Sequence, residues 1–232
     1  MKVIGMLGGM SWESTASYYQ QINEGIKQQL GGLHSAKIAL YSVDFEEVER
    51  QQQAGEWQAA GELLSNAAKG VEAAGADFLM ICTNTMHKVA DQIENSLSIP
   101  LLHIADATAK QLLHDGITRV GLLGTAFTMS ESFYKGRLSD KFGLEVITPT
   151  QQSQKIIHDV IYQELCLGVI NDQSREQYLA IIEELSLKGA EAVILGCTEI
   201  GLLVKPEDTD IALYDTTAIH AQAAVCKALE QS

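Results

Sequence analysis

Two stretches of this chain end in the same way, and their spacing constrains the fold more than any other feature. Phe78-Leu79-Met80-Ile81 opens into Cys82-Thr83-Asn84-Thr85, and Val193-Ile194-Leu195-Gly196 opens into Cys197-Thr198-Glu199. Each is a short apolar run that meets a thiol and hydroxyls, the pattern of a parallel strand buried on both faces. Gly75-Ala76-Asp77 precedes the first and Gly189-Ala190-Glu191 the second, so that 189 − 75 and 197 − 83 both give 114. A further pair recurs at nearly the same distance: Val3-Ile4-Gly5-Met6-Leu7-Gly8 and Arg119-Val120-Gly121-Leu122-Leu123-Gly124-Thr125 (121 − 5 = 116). Duplication of one unit is the simplest account. Open parallel sheets bind ligands beyond the carboxyl ends of their strands, which places Thr83 and Cys197 where chemistry is expected. Two such ends facing one cleft make a two-sided site.

Between these strands the pattern alternates. A helix is expected from 12 to about 30, capped by Ser11 with Glu13 in its first turn and stopped by Gly31-Gly32. A strand follows over 37–43. The polar stretch 44–57, with Arg50 and the glutamines Gln51 to Gln53, is placed to overhang the strand ends as a substrate lid, or is a solvated surface segment. An alanine-rich helix (58–74), a helical stretch (85–96) and a strand beginning at Pro100 complete the first half. The second half offers a helix over 130–140, a strand over 144–147, two helices around Gly168, the Cys197 strand, a last strand over 211–214, and a helix capped by Asp215. Strands alternating with helices throughout imply an α/β, doubly wound parallel architecture in two similar halves. His103 and Asp106 are placed to orient a catalytic group or to satisfy local backbone, and for His87 the backbone reading is the better one. His34, His114, His158 and His220 read as surface.

Composition removes several function classes. A chain of 232 residues, 46% hydrophobic, can bury one large core or two modest ones. No apolar run approaches the roughly 20 residues of a membrane span, and Met1-Lys2 leads directly into a strand, so a cytoplasmic protein is expected. Sixteen basic against 30 acidic residues give a net charge of −14, which disfavours nucleic acid and anionic membranes as partners. An anionic ligand needs a local exception, and the exposed amides of the helix start at Ser11 suit a carboxylate. Gly5, Gly8 and Gly9 do not make G-x-G-x-x-G, so a nucleotide fits less well. Four cysteines, Cys82, Cys166, Cys197 and Cys226, show no C-x-x-C and no metal spacing, which points to free thiols in a reducing compartment without structural zinc.

Two acid/base groups on opposite sides of one bound carbon can remove a proton from one face and return it on the other. That is racemisation without a cofactor. A thiol suits the task because its ordinary pKa of about 8.5 can be lowered by a helix N-terminus, bringing it near ambient pH. Cys197 meets that condition if Thr198 begins a helix; otherwise it is a packed, inert thiol.

Three segments, Gly8-Gly9-Met10-Ser11-Trp12-Glu13-Ser14-Thr15, Cys82-Thr83-Asn84-Thr85-Met86-His87 and Gly196-Cys197-Thr198-Glu199, resemble the markers of the aspartate/glutamate racemase superfamily, in the right order and across essentially the whole chain. The resemblance implies two Rossmann-like domains facing each other, with the last helix returning to the first: 1–103 plus 209–232, carrying Thr83, and 104–208, carrying Cys197. It further implies catalysis without pyridoxal phosphate or metal, and frequent homodimers. By the same resemblance Met10, Ser11, Asn84, Thr85, Thr125 and Thr198 would hold an amino acid, largely by its α-carboxylate and amine.

Two departures refine the expectation. Where the family usually has cysteine before the Asn-Thr pair, this chain has Thr83; Cys82 lies one residue earlier and should point to the other face of its strand. Thr83 is then the second catalytic group, able to pass on a proton but not to act as a thiolate-like base. The resemblance implies that Cys197 serves the L-enantiomer, so L-aspartate, L-glutamate or a similar-sized amino acid should be the better starting material. Some aspartate-handling members carry a lysine in the segment matching Glu164-Leu165-Cys166-Leu167-Gly168, where Cys166 stands here; Arg50 or Gln52 would then clamp a side-chain carboxylate. Two other readings use the same fold. One is a decarboxylase of a disubstituted malonate or a cis/trans isomerase of a dicarboxylate, with Cys197 acting alone. The other is an amino-acid-binding relative without catalysis. An ammonium acceptor formed by Met10, Ser11 and Asn84 separates the amino-acid site from the malonate site.

Overall fold

A computed structural model describes residues 1–230. The chain forms two compact units, Met1–Ile104 together with the chain from His220 onward, and Ala105–Ile219. The first contains β1 (Ile4–Gly8), α1 (Trp12–Leu30), β2 (Ile38–Ser42), α2 (Phe45–Ala54), α3 (Trp57–Ala73), β3 (Phe78–Ile81), a 3-10 turn (Thr85–Val89) and α4 (Ala90–Glu94). α5 (Ile104–His114) carries the chain into the second unit, which holds β4 (Arg119–Gly124), α6 (Ala126–Ser130), α7 (Ser132–Gly136), β5 (Glu145–Ile147), α8 (Gln151–Gln163), α9 (Asp172–Leu187), β6 (Ala192–Gly196), α10 (Ile200–Leu203) and β7 (Ala212–Asp215). α11 (Thr216–Leu229) brings the chain back.

Both sheets are parallel, ordered β2-β1-β3 and β5-β4-β6-β7. The repeat read from the sequence is also a repeat of register: Ile4 pairs with Phe78 and Ile38 in one sheet, and Val120 with Ala192 and Val146 in the other. Strand entries are fastened alike. Asp77 accepts the Val3 N–H at 2.5 Å, while Glu191 accepts those of Thr118 and Arg119 at 2.8 and 2.9 Å. Gly75 and Gly189 make the preceding turns with φ of 91° and 94°, a region closed to most side chains. The Pro100 segment does not become a full strand. It contributes one parallel bridge, Leu79↔Leu101, in the place that Leu213 of β7 takes beside Val193, because the chain turns into α5 three residues later. Residues 209–219, placed with the first domain from the sequence, lie in the second unit, since β7 is hydrogen-bonded to β6 and the exchange falls at His220.

Side-chain alternation divides each sheet's burial. Phe78, Met80 and Cys82 pack with Tyr18, Ile22 and Ile26 of α1 and Ala224 and Val225 of α11; Leu79 and Ile81 pack on the other face with Val48, Leu64 and Val71. In the second unit Val193, Leu195 and Cys197 share a face with Ile157, Ile161, Tyr178 and Ile182. α1 runs as its pattern dictates, from the Ser11 cap to Gly31, whose N–H closes on the Lys27 carbonyl at 2.8 Å. The stretch 44–57 is mainly helix rather than an overhanging loop: Asp44 caps α2, Glu46 and Glu47 sit in its first turn, and Gly55 ends it in the left-handed region.

Histidines depart most from the sequence reading. His220 is fully buried rather than on the surface, and with His87 and His103 it forms a cluster in the first unit, with ring centroids 4.4 Å apart (His87–His103) and 6.1 Å apart (His87–His220). The Tyr18 hydroxyl, 3.1 Å from His220 Nδ1, and the Leu102 carbonyl, 2.8 Å from Nε2, satisfy both ring nitrogens. Asp106 binds Arg137 and, at 2.7 Å, Lys141. His158 is half-buried, with Nδ1 accepting the Ala126 N–H at 3.2 Å, while His34 and His114 are exposed. Burial pushes His220 down to about 4. The neutral ring is the one that fits, so the unfolded chain, titrating at about 6.5, takes up a proton that the folded chain lacks as pH falls from there. Stability should be flat above that point and decline by up to about 3 kcal/mol as pH drops toward 4, with a smaller decline in His220→Gln. Urea melts across this range check it, and equal slopes for the two proteins would contradict it.

Candidate active site

The carboxyl end of the first sheet is built by short-range bonds. β1 runs into Gly9, whose φ of 94° and whose contact with the Val43 backbone leave no room for a Cβ. Its N–H donates to Thr15 Oγ1 at 2.8 Å, and that hydroxyl donates to the Ser11 carbonyl at 2.9 Å. Ser11 caps α1 by accepting the Ser14 N–H at 3.3 Å, and Ser14 Oγ donates to the Cys82 carbonyl at 3.2 Å. The start of α1 is thereby tied to the end of β3. Met10 and Ser11 are buried beside that junction, as are Asn84 and Thr85 in the turn that follows β3.

Thr83 is half-buried at the same end. It extends the row Leu79, Ile81, Thr83 as Cys197 extends Val193, Leu195, Cys197, so the structural counterpart of the second-unit thiol is the hydroxyl. Cys82 faces α1 and α11 instead, where burial pushes its thiol far up. From α2, Gln52 is buried and its Nε2 donates to Met86 Sδ at 2.9 Å. Arg50, two residues earlier on the helix, is on the exposed side, since positions i and i+2 do not face the same way. The structure therefore brings Gln52 but not Arg50 to the β3 turn.

In the second unit β4 ends at Gly124, paired with Gly196, and Thr125 caps α6 by accepting the Thr128 N–H at 3.3 Å. Thr125 thus repeats the part of Ser11. Cys197 follows β6 and is nearly closed off, with 8% exposure. Its Sγ–H donates to Glu199 Oε2 at 3.0 Å, and the half-exposed Thr198 hydroxyl donates to the same oxygen at 2.6 Å. The Thr216 hydroxyl holds the Leu195 carbonyl at 2.8 Å and so steadies the strand end. Cys166 packs against the same cluster as Cys197.

The electrostatics run opposite to the expectation from a helix start. Burial first, and the Glu199 carboxylate second, hold the Cys197 thiol well above its ordinary value. The physical reason is local: α10 is a single turn that begins only after Glu199, and the lowering by the Glu199 amide is smaller than the raising by burial and by the carboxylate that accepts the thiol proton. Glu199 is the contact of Cys197 to which the sequence reading gave no role, although it stood in the Gly196-Cys197-Thr198-Glu199 segment; the signal was an acid two residues past a thiol. Among the described residues no cluster of three or more His, Cys, Asp or Glu could hold a metal ion, and no helix is long and apolar enough to cross a membrane.

Comparison with known proteins identifies the family. The sequence profile of the Asp/Glu/Hydantoin racemase family matches residues 7–224. A Yersinia pestis crystal structure, described as that of a candidate Asp/Glu racemase, is 55% identical over 99% of this chain and 100% of its own, with a TM-score of 0.93. An aspartate racemase homologue from Pyrococcus horikoshii OT3 is 33% identical over 99% and 100% of the two chains, with a TM-score of 0.86. The broad specificity amino-acid racemase RacX of Bacillus subtilis (strain 168) is 24% identical over 96% of each chain. With the profile spanning nearly its full length, the chain belongs to the Asp/Glu/Hydantoin racemase family and is an enzyme of the isomerase class.

Proposed function

We propose that the protein racemises aspartate, glutamate or an amino acid of similar size without a cofactor, with Cys197 as the base for the L-enantiomer and Thr83 as the opposing proton carrier. The observation that carries this reading is the hydrogen bond from the Cys197 thiol to the buried Glu199 carboxylate. An α-proton is too weakly acidic for a neutral thiol, so the thiol must first lose its own proton, and Glu199 is the group placed to take it. The resulting thiolate removes the α-proton of the L-amino acid. Thr83 delivers its hydroxyl proton to the other face of the carbanion and regains one from water, while Glu199 returns its proton to solvent. Amides at the start of α1, with Ser11, Asn84 and Thr85, hold the α-carboxylate where negative charge develops. Met10 lines that position, and Thr125 and Thr198 complete the contacts to the amino acid. Gln52 meets the side-chain end of the substrate, and an acidic side chain would need Arg50 to turn inward from its exposed position on α2. The substrate is a small soluble amino acid, and the protein is taken to act on it in the cytoplasm, with a homodimer as a possible assembly.

Incubating the protein in deuterium oxide with each enantiomer of aspartate, glutamate and several neutral amino acids tests the reading directly. Exchange at the α-carbon with inversion, faster from the L side, is expected; silence with every amino acid would transfer the case to a one-thiol decarboxylase or isomerase. Cys197→Ser should keep the fold and lose at least about a thousandfold in turnover, and Glu199→Gln, which cannot take the thiol proton, about a hundredfold. Unchanged turnover in Glu199→Gln would remove Glu199 from the mechanism. Thr83→Cys should make the two sides more alike and raise turnover of the D-enantiomer about tenfold, since a thiol is far closer to neutral pH than a hydroxyl. Chiral chromatography of initial products reads all three variants.

A further inference from the structure

His87 lies four residues beyond Thr83, buried in the 3-10 turn, and both of its ring nitrogens are engaged with the backbone. Nδ1 is 2.8 Å from the Thr83 carbonyl oxygen, and the N–H of Ile104, the first residue of α5, donates to Nε2 at 3.3 Å. A carbonyl only accepts and an amide only donates. The ring proton therefore sits on Nδ1 and the lone pair on Nε2, so the imidazole is neutral with its tautomer fixed by its partners. Burial, then the neighbouring His103 and His220, keep it that way by holding its pKa well below the usual range.

We propose that His87 is a positioning residue for Thr83, a neutral bridge from the Thr83 peptide to the first amide of α5 that fixes the angle at which the Thr83 hydroxyl leaves β3. The inference rests on the reading of Thr83 as a proton carrier. The Cys82 N–H still donates to Leu7 at 2.9 Å, but Thr83 lies past the end of β3, and its carbonyl is held by this side chain. A hydroxyl that hands on a proton depends on alignment, because it has no accessible charged form near neutral pH to fall back on. The thiol side is built differently. Position 201, which corresponds to 87 by the same spacing (87 + 114 = 201), is a glycine, and Cys197 relies on an adjacent acid. His87 therefore belongs to the Thr83 half of the reaction alone.

The test separates the two halves in deuterium oxide, with L-aspartate and L-glutamate as probes. Deuterium entering the recovered L-enantiomer needs only Cys197, whereas inversion also needs Thr83. His87→Gln can reach Ile104 but leaves the Thr83 carbonyl without its donor, and it should lower the ratio of inversion to L-side exchange about tenfold or more. His87→Asn carries an N–H close to where Nδ1 stands and should keep the ratio within about twofold of the parent protein. Equal losses of exchange and inversion, with a lowered melting temperature, would make His87 merely structural and overturn the proposal, as would unfolding of both variants. A parent protein that exchanges nothing would overturn the racemase reading and this role with it. A Thr83→Val variant that still inverts normally would show instead that Thr83 is not the carrier, and the role assigned to His87 would fall on that ground.

Discussion

The parallel ladders of β1 with β3 and of β4 with β6 set where every group of functional interest stands. Their strands are buried on both faces, so backbone groups that lost their ladder partners would have no water to turn to. A slip of one residue would also turn Thr83 and Cys197 to the opposite faces of their sheets and bring Cys82 and Thr198 into their places. The entries of the central strands are pinned by carboxylates, Asp77 on Val3 and Glu191 on Thr118 and Arg119, and the exits by the Ser14–Cys82 and Thr216–Leu195 bonds. Register, fixed at both ends, is what converts an alternating apolar pattern into a thiol and a hydroxyl at fixed places.

At those places the two units diverge. The second supplies a thiol with a carboxylate beside it; the first supplies a hydroxyl with its peptide clamped by a histidine. In the proposed reaction one arrangement would move a proton by acid–base matching and the other by geometry, so that one duplicated scaffold would serve two unequal half-reactions. Burial raises the Cys197 thiol, and Glu199 raises it further for as long as it carries charge. The same carboxylate is the acceptor that a raised thiol would require in the proposed reaction, so the feature that quiets the resting thiol would also be the one that allows it to be used.

Much of this was legible in the chain. Apolar runs ending in Gly and Cys or Thr read directly as buried parallel strands, the common spacing revealed the repeat, and Ser11, Gly31 and Asp215 carried the caps and stops they appeared to carry. Legibility failed where the decisive partner is distant in sequence or where a local pattern admits two environments. His220 looked like a surface residue on a helix; Tyr18 and the Leu102 carbonyl, both far away along the chain, bury it. The glutamine-rich stretch around Arg50 read as a lid or a solvated surface segment, because a buried Gln52 cannot be told from an exposed one without knowing that Met86 lies against it. For Cys197 the difference was one of distance along the backbone: the helix starts three residues later, and the lowering by the Glu199 amide is outweighed by burial and by the Glu199 carboxylate.

Thr83 in place of a second thiol invites the view that catalysis has been lost, and the placement of Glu199 weighs against it. The Glu199 carboxylate is buried, and its Oε2 accepts hydrogen bonds from both the Cys197 thiol and the Thr198 hydroxyl. A binding protein would need nothing from the Cys197 proton. The turn at Thr83 tells the same way: His87 is held neutral, in one tautomer, to fix a carbonyl that an ordinary binding turn could leave to water. Both features fall on the two residues at equivalent ends of the repeated strands. The proposed racemisation gives each of them a part in proton transfer, whereas binding alone would ask for neither.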